Sequence, residues 1–110
     1  MDFTRLNIKG LQGSTAISTG ANMTLPEKDR AFVIGINATA ASKTVTLDLP
    51  DGATCIVINT GSNAFTLKNV SGDTGESVNS GGIYLVKASQ TANASLIAQI
   101  VAGGGRSVNA

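Results

Sequence analysis

These 110 residues contain no histidine, no tryptophan, one cysteine and two prolines. Lack of histidine removes the commonest general base, the usual partner of a catalytic nucleophile and the commonest zinc ligand. Cys55 lies in the apolar run Thr54-Cys55-Ile56-Val57-Ile58, where burial would raise its pKa and no imidazole can activate it. It reads as a small buried hydrophobe. One cysteine closes no internal disulfide, so nothing implies an oxidising compartment. Charge is also scarce: 8 basic and 7 acidic side chains leave a net +1, and they are scattered singly. With no basic face to displace the counterions of phosphates, no nucleic-acid partner is expected. No apolar run approaches a membrane span, and Met1-Asp2-Phe3-Thr4-Arg5 carries no apolar leader core. The expectation is a soluble protein, made without export by the usual route and without a membrane partner.

What is present is aliphatic. Hydrophobic residues make up 42% of the chain but aromatics only 4%, so any core is built from Val, Ile, Leu and Ala, in one domain of modest size. Gly, Ser, Thr and Asn interrupt the chain too often for helices of normal length. The short apolar runs, rich in Val, Ile and Thr, suit pleated surfaces. Strands are expected near 3–9, 15–24, 31–37, 43–49, 53–59, 63–68, 82–88 and 93–101, with a short one at Glu76-Ser77-Val78 inside the polar stretch 71–82. Thr44, Thr46 and Asp48 alternate with Val45, Leu47 and Leu49, which gives one wet face and one buried face. Cys55 to Ile58 is apolar at every position, as in a strand covered on both sides by a second layer or a neighbouring subunit. Phe32 and Phe65 fall inside strand patterns as core residues, while Tyr84 alternates toward the opposite face, at a surface or an interface. The fold class expected is all-β: a β-sandwich or small, jelly-roll-like β-barrel of about eight short antiparallel strands. Residues 1–13 form an N-terminal arm or edge strand, 14–102 the β-domain, and the glycine-rich 103–110 a flexible tail.

One pattern is written twice. Residues 24–47 read TLPEKDRAFVIGINATAASKTVTL and residues 48–67 read DLPDGATCIVINTGSNAFTL. Each copy runs Leu-Pro-acid, a turn, a strand ending in Ile-x-Ile-Asn, a polar loop and a strand ending in Thr-Leu. The alignment sets Leu25-Pro26, Ile34, Ile36, Asn37, Thr46 and Leu47 against Leu49-Pro50, Ile56, Ile58, Asn59, Thr66 and Leu67. Each copy is expected to be a hairpin, turned at Asn59-Thr60-Gly61-Ser62-Asn63 in the second.

Little chemistry accompanies this scaffold. Asp48 and Asp51 flank Pro50 and read as turn and strand-face residues. Asp73 and Glu76 could lend oxygens to calcium, but they lack the dense acidic ladder of a calcium loop. Gly103-Gly104-Gly105 is followed by neither Lys-Ser/Thr nor a helix, so it is no phosphate loop. Sequons at Asn22, Asn37, Asn69 and Asn93 are the chance product of an Asn- and Thr-rich chain. No catalytic residue, metal or cofactor is expected; the chain reads as a non-enzyme.

The run LDLPDGATCIVINTGSNAFTLKN, followed by a Gly/Ser-rich loop and GGIYLVKASQTANASLIAQI, resembles small β-domains of tailed-phage virion proteins. Val57-Ile58-Asn59-Thr60-Gly61-Ser62-Asn63 and Ala64-Phe65-Thr66-Leu67 carry the resemblance, which spans roughly residues 43–101. It implies a structural virion protein of the capsid decoration (cement) or head-fibre type. Such a protein would be made in the host cytoplasm and sit on the capsid exterior, as a homotrimer bound to the major capsid protein. The chain departs from many fibre modules in lacking a late Gly-x-x-Trp ending, and its size fits a free-standing decoration protein. The expected capsid contact is the arm, through Phe3, Arg5, Leu6, Ile8 and Lys9; an ordinary edge strand is the other reading of those residues. The competing function is a receptor- or glycan-binding module of a tail fibre or spike, with its site at loop 71–82.

Overall fold

A computed structural model describes residues 14–25 and 32–101. The expected strand at 3–9, the arm at 1–13 and the tail at 103–110 lie outside them. The described residues form an all-β sandwich of nine strands and no helix. The strands are β1 (Ser14–Thr19), β2 (Met23–Thr24), β3 (Val33–Ala38), β4 (Lys43–Thr46), β5 (Thr54–Asn59), β6 (Phe65–Lys68), β7 (Glu76–Val78), β8 (Ile83–Lys87) and β9 (Leu96–Val101). One sheet has the order β1-β3-β5-β8-β9 and the other β2-β4-β6-β7. The expected strand at 15–24 is thus two strands, β1 and β2, in different sheets. The short strand expected at Glu76-Ser77-Val78 is β7.

The repeated unit is a coil and not a hairpin. Its first strand lies in the five-stranded sheet and its second in the four-stranded sheet, so the two face each other across the core. The next coil then returns beside its predecessor in the same direction. Hence β1, β3 and β5 pair in parallel, as do β2, β4 and β6. Antiparallel pairing, expected throughout, is confined to the closing part of the chain: β5 with β8, β6 with β7, and β8 with β9. The physical reason lies at the corner after β5. The Asn59 side chain accepts from the Gly61 N–H at 3.0 Å and donates to the Asn63 carbonyl at 2.9 Å. That closes a broad bend which carries the chain to the other layer, where a two-residue turn would reverse it within one sheet. Stacked units of this kind bury between them what no single unit can bury alone.

Alternation sorts the side chains. Ile34, Ile36 and Ala38 of β3 point inward, as do Cys55 and Val57 of β5 and Val86 of β8; Val45, Phe65, Leu67 and Val78 meet them from the other sheet. Leu47 and Leu49, just past β4, are fully buried too. Tyr84 belongs to this core: it is 5% exposed, and its hydroxyl donates to the Ser77 carbonyl at 3.2 Å. The surface position expected for Tyr84 is therefore corrected. Because Tyr84 pairs with Val57, itself inward, its ring goes inward as well. Phe65 is core as expected, whereas Phe32 is half-buried.

Two buried asparagines hold the corners. Asn59, besides its bonds within the bend, donates to the Val78 carbonyl at 3.0 Å and so ties the two sheets together. Asn69 accepts from the Leu49 N–H at 2.8 Å and donates to the carbonyls of Leu49 at 3.0 Å and Ser89 at 2.9 Å. Each amide is fully used, which is what makes a buried polar side chain tolerable. Asn69→Ala would leave the buried Leu49 N–H without a partner and take one donor each from the Leu49 and Ser89 carbonyls, which keep Gln90 and Ser95. It should cost about 2 kcal/mol, given about 1–3 kcal/mol for an unsatisfied buried group, read as a lower urea midpoint at unchanged slope.

Candidate functional site

Phe3, Arg5, Leu6, Ile8 and Lys9, the expected capsid contact, lie outside the described residues. They precede β1, an edge strand of the five-stranded sheet. Among the described residues, three surfaces could engage a ligand or partner: the outer faces of the two sheets and a cleft between loops.

The outer face of the five-stranded sheet is aliphatic across the middle of β3, β5, β8 and β9, with Asn37 and Ser18 at one end and Thr54 and Lys87 at the other. One row across it, set by register, runs Val33, Ile56, Leu85 and Ala98; the next runs Gly35, Ile58, Ile83 and Val101. These residues alternate with the buried ones and are half-buried. Leu96, beside Lys87 at one end of the sheet, is 57% exposed. Lys87 is the sole charged side chain that register places on this face among the described residues. The all-apolar run Cys55 to Ile58 is thereby explained: Cys55 and Val57 meet the second sheet, while Ile56 and Ile58 point outward.

The outer face of the four-stranded sheet has different chemistry. Thr24, Thr46 and Lys68 form one row there, and Thr44, Thr66 and Ser77 another. This matches the wet face expected from the alternation of Thr44, Thr46 and Asp48.

The loop cleft holds about 260 Å³ and is lined by Asp73, Thr74, Gly75, Glu76, Asn93 and Ser95, with Ile97. Asp73 is buried there, 9% exposed. Its Oδ1 accepts from Asn93 N–H at 2.6 Å, and its Oδ2 accepts from the N–H groups of Asn69 at 3.0 Å and Val70 at 3.2 Å. Burial pushes its carboxyl up, but the three N–H donors and the charge of Lys68 outweigh burial and hold it below the usual carboxylate value. In return the Asn93 side chain accepts from the Thr74 N–H at 2.7 Å. Asp73 and Asn93 thus clasp two loops. Asn93 takes a positive φ of 62° to do so, a conformation asparagine tolerates better than most residues. Gly75, at φ 84°, lies where a Cβ would stand 2.9 Å from the Leu67 carbonyl oxygen.

Sequence reasoning placed Asp73 and Glu76 together in this loop, and both line the cleft. It missed the partner Asn93, which is distant in sequence and whose signal was only a sequon. No group of three or more metal-ligating side chains occurs among the described residues, and Asp73 spends both oxygens on backbone donors. Asp48 and Asp51 converge on Gln90: its N–H donates to Asp51 at 2.5 Å, and its side-chain amide to Asp48 at 3.3 Å and the Leu49 carbonyl at 2.6 Å. They are turn residues, as expected. No helix of the described residues is long and apolar enough to cross a membrane. Comparisons with protein-family models, curated proteins and solved structures return no match.

The Asp73 clasp generates a pH dependence. Its folded pKa is depressed, so its contribution to stability is complete above the ordinary carboxylate pKa. It is lost as pH falls through the lower, folded value. Asp73→Asn turns one acceptor into a donor facing N–H groups and should cost about 2 kcal/mol near neutrality. Its stability against pH, followed by urea unfolding, should be flatter below pH about 4 than that of the parent.

Proposed function

We propose that this protein is a structural virion component of a tailed phage. It would be a decoration protein that binds the outer surface of the capsid as a homo-oligomer and stabilises the shell. The observation that carries the reading is the division of labour within the domain. Side chains such as Asp51, Asn59, Asn69 and Asp73 are engaged in holding corners and loops, while a mostly aliphatic sheet face, with Lys87 at one end, is turned outward. Such a molecule works by contact area and rigidity. The resemblance of residues 43–101 to phage virion β-domains points the same way, and it implies three copies and the major capsid protein as partner. The mechanism is mechanical: a compact knob bridges neighbouring capsid subunits and adds interface area that opposes expansion by packaged DNA. The arm, through Phe3, Arg5, Leu6, Ile8 and Lys9, is the proposed contact with the capsid.

The second reading, a glycan- or receptor-binding module, is favoured by one feature. The cleft between residues 73–76 and 93–97 is rimmed by hydroxyl and amide groups, which suit sugar hydroxyls. It lacks an aromatic platform.

Cosedimentation with undecorated phage capsids tests the first reading. The full chain should bind and raise the temperature at which the capsids open, and the double variant Leu6→Asp, Ile8→Asp should bind at least about tenfold more weakly, a loss of about 1.4 kcal/mol. No binding by the parent chain, together with retention of a glycan class on an array, would favour the second reading.

A further inference from the structure

We infer that residues 3–9 of this chain pair antiparallel with the edge of β1 and close the open end of the coil stack, with Leu6 covering Ile17. The inference stands on the edge of β1 and on the sequence of the arm, and it needs neither capsid nor second copy. It also narrows the arm's capsid contact to Phe3, Arg5 and Lys9, on the outer face of the added strand; that last step alone rests on the decoration reading.

The two ends of the stack are finished differently. Beyond the last coil, β8 pairs antiparallel with β5, and β7 with β6. Beyond the first coil, β1 and β2 have no neighbouring strand among the described residues. The core registers the difference: Ile17 and Met23 are half-buried, while their register partners in the second coil, Ile36 and Val45, are fully buried. The backbone registers it too. The Thr19 carbonyl accepts from the Thr39 N–H at 2.8 Å, so Thr19 turns its polar groups toward β3. Successive residues of a strand bond to opposite sides, so Ser14, Ala16 and Ser18 turn theirs to the open edge. β1 reads Ser-Thr-Ala-Ile-Ser-Thr, without the charge or proline that keeps an edge strand unpaired.

The arm fits that edge by length, link and register. Seven residues at about 3.3 Å rise span about 23 Å, and the six of β1 about 20 Å. The link Gly10-Leu11-Gln12-Gly13 is a common hairpin length and too short for the crossover that a parallel strand needs. It sets Lys9 opposite Ser14, and hence Asn7 opposite Ala16, Leu6 opposite Ile17 and Arg5 opposite Ser18. Leu6 and Ile8 then share the core-facing side with Ile17, while Phe3, Arg5, Asn7 and Lys9 take the outer side. A slip of one residue would exchange the two sets. Tethered through so short a link, the arm meets the edge at an effective concentration that a separate copy in dilute solution does not match.

Amide hydrogen exchange by NMR on the full chain tests this. The Ala16 and Ser18 N–H groups should exchange at least about tenfold more slowly than open amides, equally in dilute and concentrated samples, and the Leu6 methyls should show NOE contacts to Ile17. Asn7→Pro removes the N–H that faces the Ala16 carbonyl. It should speed exchange at Ala16 and Ser18 about tenfold and leave Ile36 and Val57, in the middle of the sheet, unchanged. Ala16 and Ser18 exchanging as open amides would overturn the inference, as would protection that Asn7→Pro leaves intact. Protection confined to the concentrated sample would overturn it by assigning the edge to another copy. Leu6 contacts to Met23 in place of Ile17, as for a further parallel strand beside β2, would overturn it too. Capsid cosedimentation of the double variant Arg5→Ala, Lys9→Ala, which keeps the pairing, reads the outer side separately and should show weaker binding. Slow exchange at Ala16 in a chain that binds no capsid sinks the decoration reading alone; capsid binding by a chain whose Ala16 amide is open sinks this inference alone.

Discussion

Everything in this fold depends on the register in which one coil sits on the next. Side chains alternate faces along a strand, so a slip of one residue would send every inward group outward and every outward group inward. In the observed register Ile34 lies beside Val57, and Val33 lies beside Ile56. The first pair fills the core and the second belongs to the outer face. The same holds in the other sheet, where Val45 lies beside Leu67 and Thr44 beside Thr66. Backbone bonds outside the strands extend the alignment: the Leu25 N–H donates to Thr46 O, and the Leu47 N–H to Lys68 O, both at 2.8 Å. Asn59 and Asn69 then lock the corners, because the Asn59 amide reaches Val78 in the other sheet and the Asn69 amide reaches Leu49 and Ser89 only where the strands are stacked in this way.

The all-β class, most strand positions and the short β7 were legible in the residues, because β-branched alternation and Gly/Asn turns are local signals. Pairing direction was not local. The duplicated text was aligned by identity, which set Ile34 on Ile56 and Asn37 on Asn59. In the sheet the coils sit one residue apart from that alignment, so Asn37 is half-buried on the outer side and bonds Ser18 at 3.3 Å, while Asn59 is buried. Identical letters therefore do different work. A repeat whose two strands belong to separate sheets also reads, in one dimension, just like a hairpin. What separates them is whether the apolar faces of the two strands meet across a core, and that is a tertiary fact.

The candidate surfaces were partly legible for the same reason. The apolar run Cys55 to Ile58 announced a strand with two apolar faces, and the structure assigns one face to the second sheet and the other to the exterior. The loop clasp could not be read, since Asp73 and Asn93 lie 20 residues apart and are brought together only by the tertiary fold. Its chemistry is structural: a buried carboxylate gathers three N–H donors and keeps two loops together. A domain that spends its polar groups on its own corners and keeps an aliphatic sheet face outward is suited to assembly, and this links the coil register to the proposed role.

The most direct measurement of that link is methyl NMR on the full chain, titrated in concentration. Ile56, Ile58, Ile83 and Leu85 face out, whereas Ile34, Ile36, Leu47 and Leu67 face in. Shifts and broadening confined to the outward methyls as concentration rises are the expected result. Changes centred on the inward set would contradict the register, and spectra that do not change with concentration would contradict the use made of the face it creates.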